Sequence, residues 1–245
     1  SINAMLERID RRYQAQVRFT SDVSHELRTP ISVIQGYADL LDRWGKDDPQ
    51  IRQEAIDAIR QEAAAMGALV EQLLFLVRGD NETQKVTMAE TDLTALVTAV
   101  ARETDMVDTT HQVTGDVQTG VIGIADAAMV KECLRVLCDN ALKYTPEGGS
   151  VDISLKAENG WAKIAVTDTG MGIPEEDLAH IFDRFFRSEQ SRSRSTGGTG
   201  LGLAIAAWIA ARHAGRIDVT SRVGLGSRFT LTFPLTPPEP EDGEE

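Results

Sequence analysis

The sequence has little cysteine, a shortage of basic residues and no long apolar run. Its two cysteines, Cys133 and Cys138, lie five positions apart in a segment with helical periodicity. That spacing suits neither a disulfide framework nor a metal site, and it predicts buried free thiols in a reducing compartment. The longest apolar candidate, 201–211, is shorter than the roughly 18 residues of a membrane-spanning helix. With no signal-peptide pattern either, the sequence predicts a soluble cytoplasmic chain, or the cytoplasmic part of something longer.

The shortage of basic residues leaves the 245-residue chain acidic. Lysine and arginine number 25 against 38 aspartates and glutamates, which gives a formal net charge of −13. Because nucleic-acid affinity comes mainly from basic side chains that neutralise phosphates, we expect no nucleic-acid partner. The segment 237–245 is rich in proline and glutamate and predicts a disordered acidic tail.

Residues 5–78 carry helical periodicity and almost no strand signal. Over 56–77 the apolar positions alternate in steps of three and four, which is the heptad pattern of packed helices. A similar pattern covers 23–41, and the loop-forming segment 44–50 separates the two. We therefore predict a long antiparallel helical hairpin. Because two helices bury little by themselves, we expect the hairpin to pair with a second copy as a homodimeric four-helix bundle.

A polar segment at 79–84 separates this hairpin from a region of alternating helices and strands. Residues 151–155 and 162–166 alternate apolar and polar side chains on either side of Asn159–Gly160, a strong signal for a hairpin turn. Helices mixed with hairpin-connected strands predict an α+β fold in which helices cover one face of a mixed sheet. We place this second domain at 82–236.

His25 lies on the polar face of the first predicted helix. Helical spacing turns it away from the apolar stripe and places Asp22 and Thr29 about one turn away on either side. An exposed imidazole beside a carboxylate can be a nucleophile with a base. Periodicity alone, however, favours an ordinary solvated face of the helix.

The residues around His25 carry a more specific signal. The string FTSDVSHELRTP, residues 19–30, closely resembles the phosphoacceptor box of bacterial two-component sensor histidine kinases. The resemblance implies that His25 accepts the γ-phosphoryl group of ATP. It also implies that Glu26 is the base that removes the imidazole proton, and that Thr29 orients water in a reverse, phosphatase reaction.

Three polar residues, Asn140, Lys143 and Tyr144, share one face of a later predicted helix. An amide oxygen suits Mg²⁺, and a lysine ammonium suits phosphate. The C-terminal end of a helix, stopped by Pro146, accounts for the same residues equally well.

Two glycine-rich segments follow, at 168–174 and 197–203. Glycines let backbone N–H groups approach a phosphate, and the second segment opens a predicted helix whose N-terminus favours negative charge. Turns also select glycine. The second segment is neither a Walker loop nor a dinucleotide-binding fingerprint, because no Lys-Ser/Thr pair follows it and no βαβ unit surrounds it.

Taken together, these segments resemble the ATP-binding domain of the same kinase family. The matching stretches are the N box at 136–146, the first glycine box at 168–174, the F box at 181–187, the second glycine box at 198–203 and a closing strand motif at 224–229. All five follow the phosphoacceptor box in the family's order. The fold implied is the ATP-binding α/β sandwich shared with chaperone, gyrase and mismatch-repair ATPases.

The resemblance implies a site for ATP and Mg²⁺. Asp168 is expected to bond the adenine amino group, and Asn140 to ligate Mg²⁺. Lys143 and Tyr144 are expected to face the phosphates and ribose, and Arg187 to reach the γ-phosphate. The implied cofactor-binding set also contains Gly170, Gly172 and Ile173, and it is completed by Gly198, Thr199, Gly200, Leu201 and Gly202 beneath a lid at 187–197.

Two positions depart from the family pattern. Val136 stands where a second asparagine is frequent, and Ile124 stands where an aspartate is frequent. Neither is the expected metal ligand Asn140, so we expect ATP binding to survive.

The function implied is that of an ATP-dependent protein-histidine kinase. It would phosphorylate His25, in cis or in trans across a homodimer, and pass the phosphoryl group to an aspartate on a response regulator receiver domain. The resemblance also implies that this chain is the cytoplasmic part of a membrane-anchored sensor. We expect no membrane contact by this chain itself. A hydrolytic ATPase of the same superfamily and a non-catalytic scaffold are the alternatives, and the intact His25 and glycine boxes argue against them.

Overall fold

The computed structural model describes residues 2–45, 47–81, 83–188 and 198–236. The chain divides into two compact units, Ser1–Val77 and Arg78–Glu245. The predicted domain limits of 5–78 and 82–236 stay predictions. The predicted acidic tail and residues 189–197 of the predicted lid lie outside the described residues.

Two long helices form the first unit, α1 over Ile2–Trp44 and α2 over Pro49–Asp80. The turn between them is shorter than the predicted loop at 44–50 because α2 begins immediately after a capping residue. The Asp48 carboxylate accepts hydrogen bonds from the backbone N–H groups of Gln50 (2.8 Å) and Ile51 (3.2 Å). Proline suits the first helical position, where its missing N–H costs nothing. The predicted polar segment at 79–84 also begins in helix, since α2 continues to Asp80.

The heptad seam predicted for α2, which includes Ile56, Val70 and Val77, is not the line of side chains that this helix buries. Leu69 and Leu76, seven residues apart, are buried. One position further along, Ile56, Val70 and Val77 are 38 %, 43 % and 40 % exposed. We call the set Ile56, Ala63, Val70 and Val77 the outward line of α2. An apolar line repeated every seven residues and left open to solvent is typical of a helix with a missing partner.

The second unit contains seven strands and three α-helices among its described residues. In chain order they are β1 (Ala89–Asp92), α3 (Leu93–Val107), β2 (Gln112–Val117), β3 (Ile122–Ala125), α4 (Ala127–Tyr144), β4 (Ser150–Glu158), β5 (Trp161–Asp168), α5 (Gly202–Arg212), β6 (Arg216–Arg222) and β7 (Gly226–Pro234). Five strands make one sheet in the order β2-β4-β5-β7-β6, and β1 pairs with β3 separately. The β2–β4 pair is parallel and the other pairs are antiparallel, which confirms the predicted mixed sheet.

The core of this unit lies between the sheet and its helices. Alternate residues of β4 and β5 are fully buried, among them Ile153 and Ile164, as are Leu134 on α4 and Ile209 on α5. The predicted Asn–Gly turn joins β4 to β5, with Asn159 and Gly160 both at positive φ. These two conformations match the right-handed twist of the paired strands, so the turn fixes their register.

Buried hydrogen bonds fix the ends of the helices that cover the sheet. The Asp126 carboxylate caps the N-terminus of α4 by accepting from the backbone N–H of Met129. His213, buried at the end of α5, accepts from the backbone N–H of Asp126 at 3.0 Å through Nε2, and its Nδ1 lies 2.8 Å from the carbonyl of Ile209. The start of α4 is therefore tied to the end of α5.

Candidate functional site

A pocket in the second unit lies at the C-terminal end of α4. Six of the residues that the sequence predicted as site residues line it: Asn140, Tyr144, Asp168, Gly172, Ile173 and Arg187. Seven further residues complete the wall, namely Met171, Ile181, Phe186, Ser188, Leu203, Ser227 and Phe229. A wall that is mainly apolar with a few converging polar groups is typical of a site for a small organic ligand.

Asp168 is the buried acidic group of this pocket, with only 7 % of its surface exposed. Its Oδ1 accepts hydrogen bonds from the backbone N–H groups of Gly170 (2.8 Å) and Ser227 (3.2 Å). Burial raises the pKa of Asp168, and these two hydrogen bonds only partly oppose that effect. The carboxylate is thus held in one orientation, and its second oxygen is available as an acceptor for a ligand donor.

The last turn of α4 brings an amide, an ammonium and a phenol together. Asn140 and Tyr144 line the pocket, and the Lys143 ammonium lies 4.9 Å from the centre of the Tyr144 ring. Lys143 itself is not part of the wall. It lies beside Gly198, where an added methyl group would collide with the ammonium. The structure therefore places a positive charge next to the second glycine box.

The first glycine box is packed between α4 and the β6–β7 hairpin. The backbone N–H of Met171 donates to the Tyr144 carbonyl at 3.1 Å, and the Met171 carbonyl accepts from the N–H of Gly224 at 2.8 Å. Gly172 has a φ of +72°, and a side chain there would collide with the carbonyl of Arg222. These contacts select glycine for packing, and the same backbone forms the pocket wall.

The second glycine box is joined to the F box. The backbone N–H of Phe185 donates to the Gly200 carbonyl at 2.9 Å, and both residues have positive φ values, +62° and +69°. A phenylalanine in this region is strained, and such strain is concentrated at functional sites. Val136, the departure from the family pattern, has its Cγ1 3.1 Å from the position that a Gly202 side chain would occupy.

The remaining predicted residues lie next to the wall. The predicted cofactor-binding residues that do not line the pocket are Lys143, Gly170, Gly198, Thr199, Gly200, Leu201 and Gly202. Leu201 is fully buried, so only its backbone can meet a ligand. Thr199 accepts from the backbone N–H of Leu201 at 3.3 Å, just before α5 begins.

Sequence reasoning missed all seven of the further wall residues, and Ser227 and Phe229 are the two that strand β7 supplies. Both lie in the closing strand motif, which the resemblance included without assigning its residues to the site. The antiparallel register pairs Asp168 on β5 directly with Ser227 on β7, and side chains two apart on a strand share a face. The strand pairing was the missing signal, because it brings β7 beside Asp168.

The first unit holds the predicted phosphoacceptor residues on the surface of α1. His25 and Thr29 are exposed, and Glu26 is half-buried. The neighbouring Ser24 hydroxyl donates back to the Thr20 carbonyl at 2.8 Å. An exposed imidazole is accessible to a large reactant, as a phosphoacceptor must be. Among the helices that the structure describes, none is long and apolar enough to cross a lipid bilayer.

Comparisons with known proteins agree with this geometry. Residues 15–82 match the family described as His Kinase A (phospho-acceptor) domain, and residues 125–237 match histidine kinase-, DNA gyrase B-, and HSP90-like ATPase. The sensor histidine kinase YkoH of Bacillus subtilis is 36 % identical over 233 residues, which are 95 % of this chain and 51 % of YkoH. The chain thus spans about half the length of this relative.

Solved structures of histidine kinases have the same fold. The kinase ThkA in complex with the response regulator protein TrrA matches with a TM-score of 0.73 and 25 % identity, covering 91 % of this chain and 63 % of that one. Full-length ShkA in complex with AMPPNP matches with a TM-score of 0.66 and 26 % identity, covering 89 % and 46 %. The chain carries both domains of the catalytic core of two-component sensor histidine kinases, and it belongs to that family. The predicted family and fold class are confirmed.

Proposed function

We propose that this chain uses ATP to phosphorylate His25 and then passes the phosphoryl group to an aspartate of a response regulator. The observation that carries the proposal is that one chain holds both an exposed histidine in its first unit and, in its second unit, a pocket with a mainly apolar wall and a few converging polar groups. The known structure of ThkA with a response regulator protein supports the second transfer, because it is a structural neighbour of this chain. The proposal places the reaction in the cytoplasm, where ATP and response regulators are found.

The chemistry needs a neutral imidazole and a base. One ring nitrogen of His25 attacks the γ-phosphorus, and the bond from that phosphorus to the ADP oxygen breaks. The other ring nitrogen loses its proton to Glu26, one residue along the helix. A regulator aspartate then attacks the phosphorus and the bond from phosphorus to the ring nitrogen breaks, while the other ring nitrogen takes a proton back and neutral histidine is released. Catalysis of this kind depends mainly on positioning and charge stabilisation.

The pocket residues supply the nucleotide contacts in this proposal. Asp168 accepts from the adenine amino group through the oxygen that Gly170 and Ser227 leave open. Lys143 and Arg187 meet the phosphates, with Tyr144 at the ribose. The backbone of 198–202 approaches the phosphates at the start of α5. The AMPPNP bound to the structural neighbour ShkA supports a nucleotide here.

Asn140 is the proposed Mg²⁺ ligand. No cluster of three or more His, Cys, Asp or Glu side chains occurs within the described ranges, so a cage made only of protein ligands is not the arrangement to expect there. Mg²⁺ that accompanies a nucleotide takes one or two protein oxygens and completes its shell with phosphates and water. The amide oxygen of Asn140 in the pocket wall fits that donor set. When bound, Mg²⁺ neutralises charge on the phosphates.

A homodimer is the assembly that the first unit supports. The outward line of α2 leaves Ile56, Val70 and Val77 about two-fifths exposed at heptad spacing. A second copy of the hairpin covers these side chains when two hairpins form a four-helix bundle. The response regulator is the second proposed partner.

The decisive experiment follows the γ-phosphate. Full-length protein is incubated with Mg²⁺ and γ-labelled ATP, with His25→Gln and His180→Gln alongside. We expect acid-labile, base-stable label on the wild type and on His180→Gln, and none on His25→Gln. His180 is the matched control because it is also an exposed histidine.

Two other outcomes identify the alternatives. ATP turnover that is equal in all three proteins, without bound label, indicates a hydrolytic ATPase. Nucleotide binding with neither label nor turnover indicates a scaffold. Thr29 is tested in the same assay: Thr29→Ala is expected to slow dephosphorylation of the regulator and to leave autophosphorylation nearly intact, and equal loss of both contradicts its phosphatase role.

A further inference from the structure

His111, in the loop between α3 and β2, has no place in the proposed reaction. Its side chain is only 6 % exposed, and it lies beside the C-terminal end of α4. Nε2 lies 3.0 Å from the carbonyl oxygen of Thr145. On the other side of the ring, Nδ1 lies 3.0 Å from the Asp108 carboxylate and 3.0 Å from the Thr110 hydroxyl.

Both ring nitrogens of His111 face acceptors. The Thr145 carbonyl can only accept, so Nε2 must donate. The Asp108 carboxylate also only accepts, and the Thr110 hydroxyl donates its own proton to Asp108 at 2.9 Å. A neutral ring protonated at Nε2 leaves the lone pair of Nδ1 against the lone pairs of Asp108. The neutral ring is satisfied only if the Thr110 hydroxyl turns away from Asp108 to donate to Nδ1, whereas the doubly protonated imidazolium donates on both sides while Thr110 keeps its hydrogen bond to Asp108.

The charges around the ring favour the same state. Burial lowers the pKa of His111, but the hydrogen bonds to Thr145 and Asp108 and the negative charges of Asp108 and Glu147 outweigh it and raise the pKa above its ordinary value. Asp108 belongs to the loop after α3, and Glu147 to the loop after α4. Helix C-termini also favour a positive charge.

The carbonyl that His111 holds belongs to the residue directly after the pocket wall. Thr145 ends α4, one residue beyond Tyr144. On one side of this loop, the N–H of Gly148 donates to the Thr110 carbonyl at 2.8 Å, and the N–H of Gln112 donates to the Gly149 carbonyl at 2.9 Å. On the other side, the Tyr144 carbonyl accepts from the first glycine box, as described above. His111 therefore fixes the loop that directly follows the wall residue Tyr144.

We infer that His111 is a positioning residue for nucleotide binding: as an imidazolium it clamps the carbonyl end of α4 against Asp108 and so makes nucleotide affinity depend on pH. The inference rests on the proposed ATP site, since it concerns the wall formed by Asn140 and Tyr144. The charged form tightens binding by holding that wall in the shape that receives the nucleotide. Raising the pH removes one of the two ring donors and loosens the clamp.

The test is the pH dependence of ADP affinity. The dissociation constant for ADP is measured by calorimetry between pH 6.0 and 8.5 for full-length wild type, His111→Gln and His180→Gln. The terminal phosphate of ADP titrates in the same range and affects every protein equally. The readout is therefore the difference between the proteins in how steeply the logarithm of the dissociation constant changes with pH. We expect the wild type to lose roughly two- to five-fold in affinity beyond the loss seen for His111→Gln, with His180→Gln following the wild type.

Glutamine is the informative replacement because its neutral amide can still donate to the Thr145 carbonyl. Equal slopes in wild type and His111→Gln, with ADP bound by both, overturn the inference and leave the proposed function intact. Absence of ADP binding in every protein at every pH overturns the proposed nucleotide site instead.

A second measurement does not depend on the variant folding. The ring titration of His111 is followed by NMR in the wild type with and without saturating ADP. Because linkage is reciprocal, a two- to five-fold effect on ADP affinity requires the midpoint to rise by roughly 0.3–0.7 pH units with ADP bound. An unchanged midpoint overturns the inference.

Discussion

The two units of this chain achieve burial to very different degrees. The second unit packs helices on a five-stranded sheet and fully buries large side chains such as Leu134, Ile164 and Phe233. Among the described residues of the first unit, only Ala55, Leu69 and Leu76 belong to the buried apolar set. The ATP-binding unit therefore has a complete core in one copy of the chain, whereas the hairpin does not. This difference agrees with the proposed homodimer, in which a second hairpin completes the bundle.

The largest expected effect comes from separating the units. A polypeptide of residues 83–236 is expected to melt cooperatively at a temperature that does not change with protein concentration, because its core is complete. A polypeptide of residues 2–77 is expected to lose helicity on dilution, because its stability depends on a second copy. Circular dichroism melts at two concentrations about a hundred-fold apart make the comparison. A hairpin whose melting is independent of concentration contradicts the proposed dimer.

Matched leucine truncations sharpen the comparison. Leu134→Ala removes a fully buried side chain of α4 and is expected to cost the second unit about 3 kcal/mol of unfolding free energy. Leu74→Ala removes a side chain that is 40 % exposed, and in dilute protein it is expected to cost less than about 1 kcal/mol. Urea titrations give both values. A larger loss of unfolding free energy for Leu74→Ala than for Leu134→Ala would contradict the more complete core of the second unit.

Two glycines of α2, one in each unit, extend the comparison to close backbone packing. At Gly79 an added methyl group would come 2.7 Å from the ring of Trp208, whereas at Gly67 nothing lies within 4 Å. Gly79→Ala is expected to destabilise the second unit by about 1–3 kcal/mol through overpacking. Gly67→Ala is expected to stabilise the helix by roughly 0.5–1 kcal/mol. Thermal melts of the full chain measure both, and equal shifts would indicate that Gly79 has no close neighbour.

The smallest effect concerns acid stability of the second unit. Burial raises the pKa of Asp108, but hydrogen bonds from His111 and Thr110 outweigh it and lower the pKa to about 2 from an ordinary 3.8. Stabilisation by Asp108 is therefore present above about pH 4 and is lost as the pH falls towards 2. We expect Asp108→Asn to flatten this part of the stability curve, measured by urea unfolding at each pH. Asp116→Asn, at an exposed carboxylate, is the control and is expected to follow the wild type.

The sequence predicted the local features of the fold well, because short-range patterns determine them. The Asn159–Gly160 turn, the alternation in β4 and β5 and the helical hairpin all follow from residues close together in the chain. The kinase family followed from motifs in a fixed order. Asp168 was identified through the resemblance of residues 168–174 to the family's first glycine box.

Features that depend on distant residues were not predictable in this way. The heptad pattern predicted for α2 includes Val70 and not Leu69, and only packing decides that Leu69 is buried while Val70 is exposed. The parallel pairing of β2 with β4 and the place of Ser227 beside Asp168 depend on strand register. His111 has no signal at all in the sequence, since its partner Thr145 lies 34 residues away.

The proline in α1 has a consequence for how the acceptor helix moves. Pro30 lies inside the helix, five residues after His25, and has no N–H to donate to the carbonyl of Glu26. The turn 26–30 therefore has the lowest free energy of local opening in this region of the helix. We expect amide hydrogen exchange to show the weakest protection there. The backbone can bend at that point at a lower cost in hydrogen bonds, because the bond from residue 30 to the Glu26 carbonyl is already absent. The imidazole can thus be presented at different angles while the helix on either side stays intact.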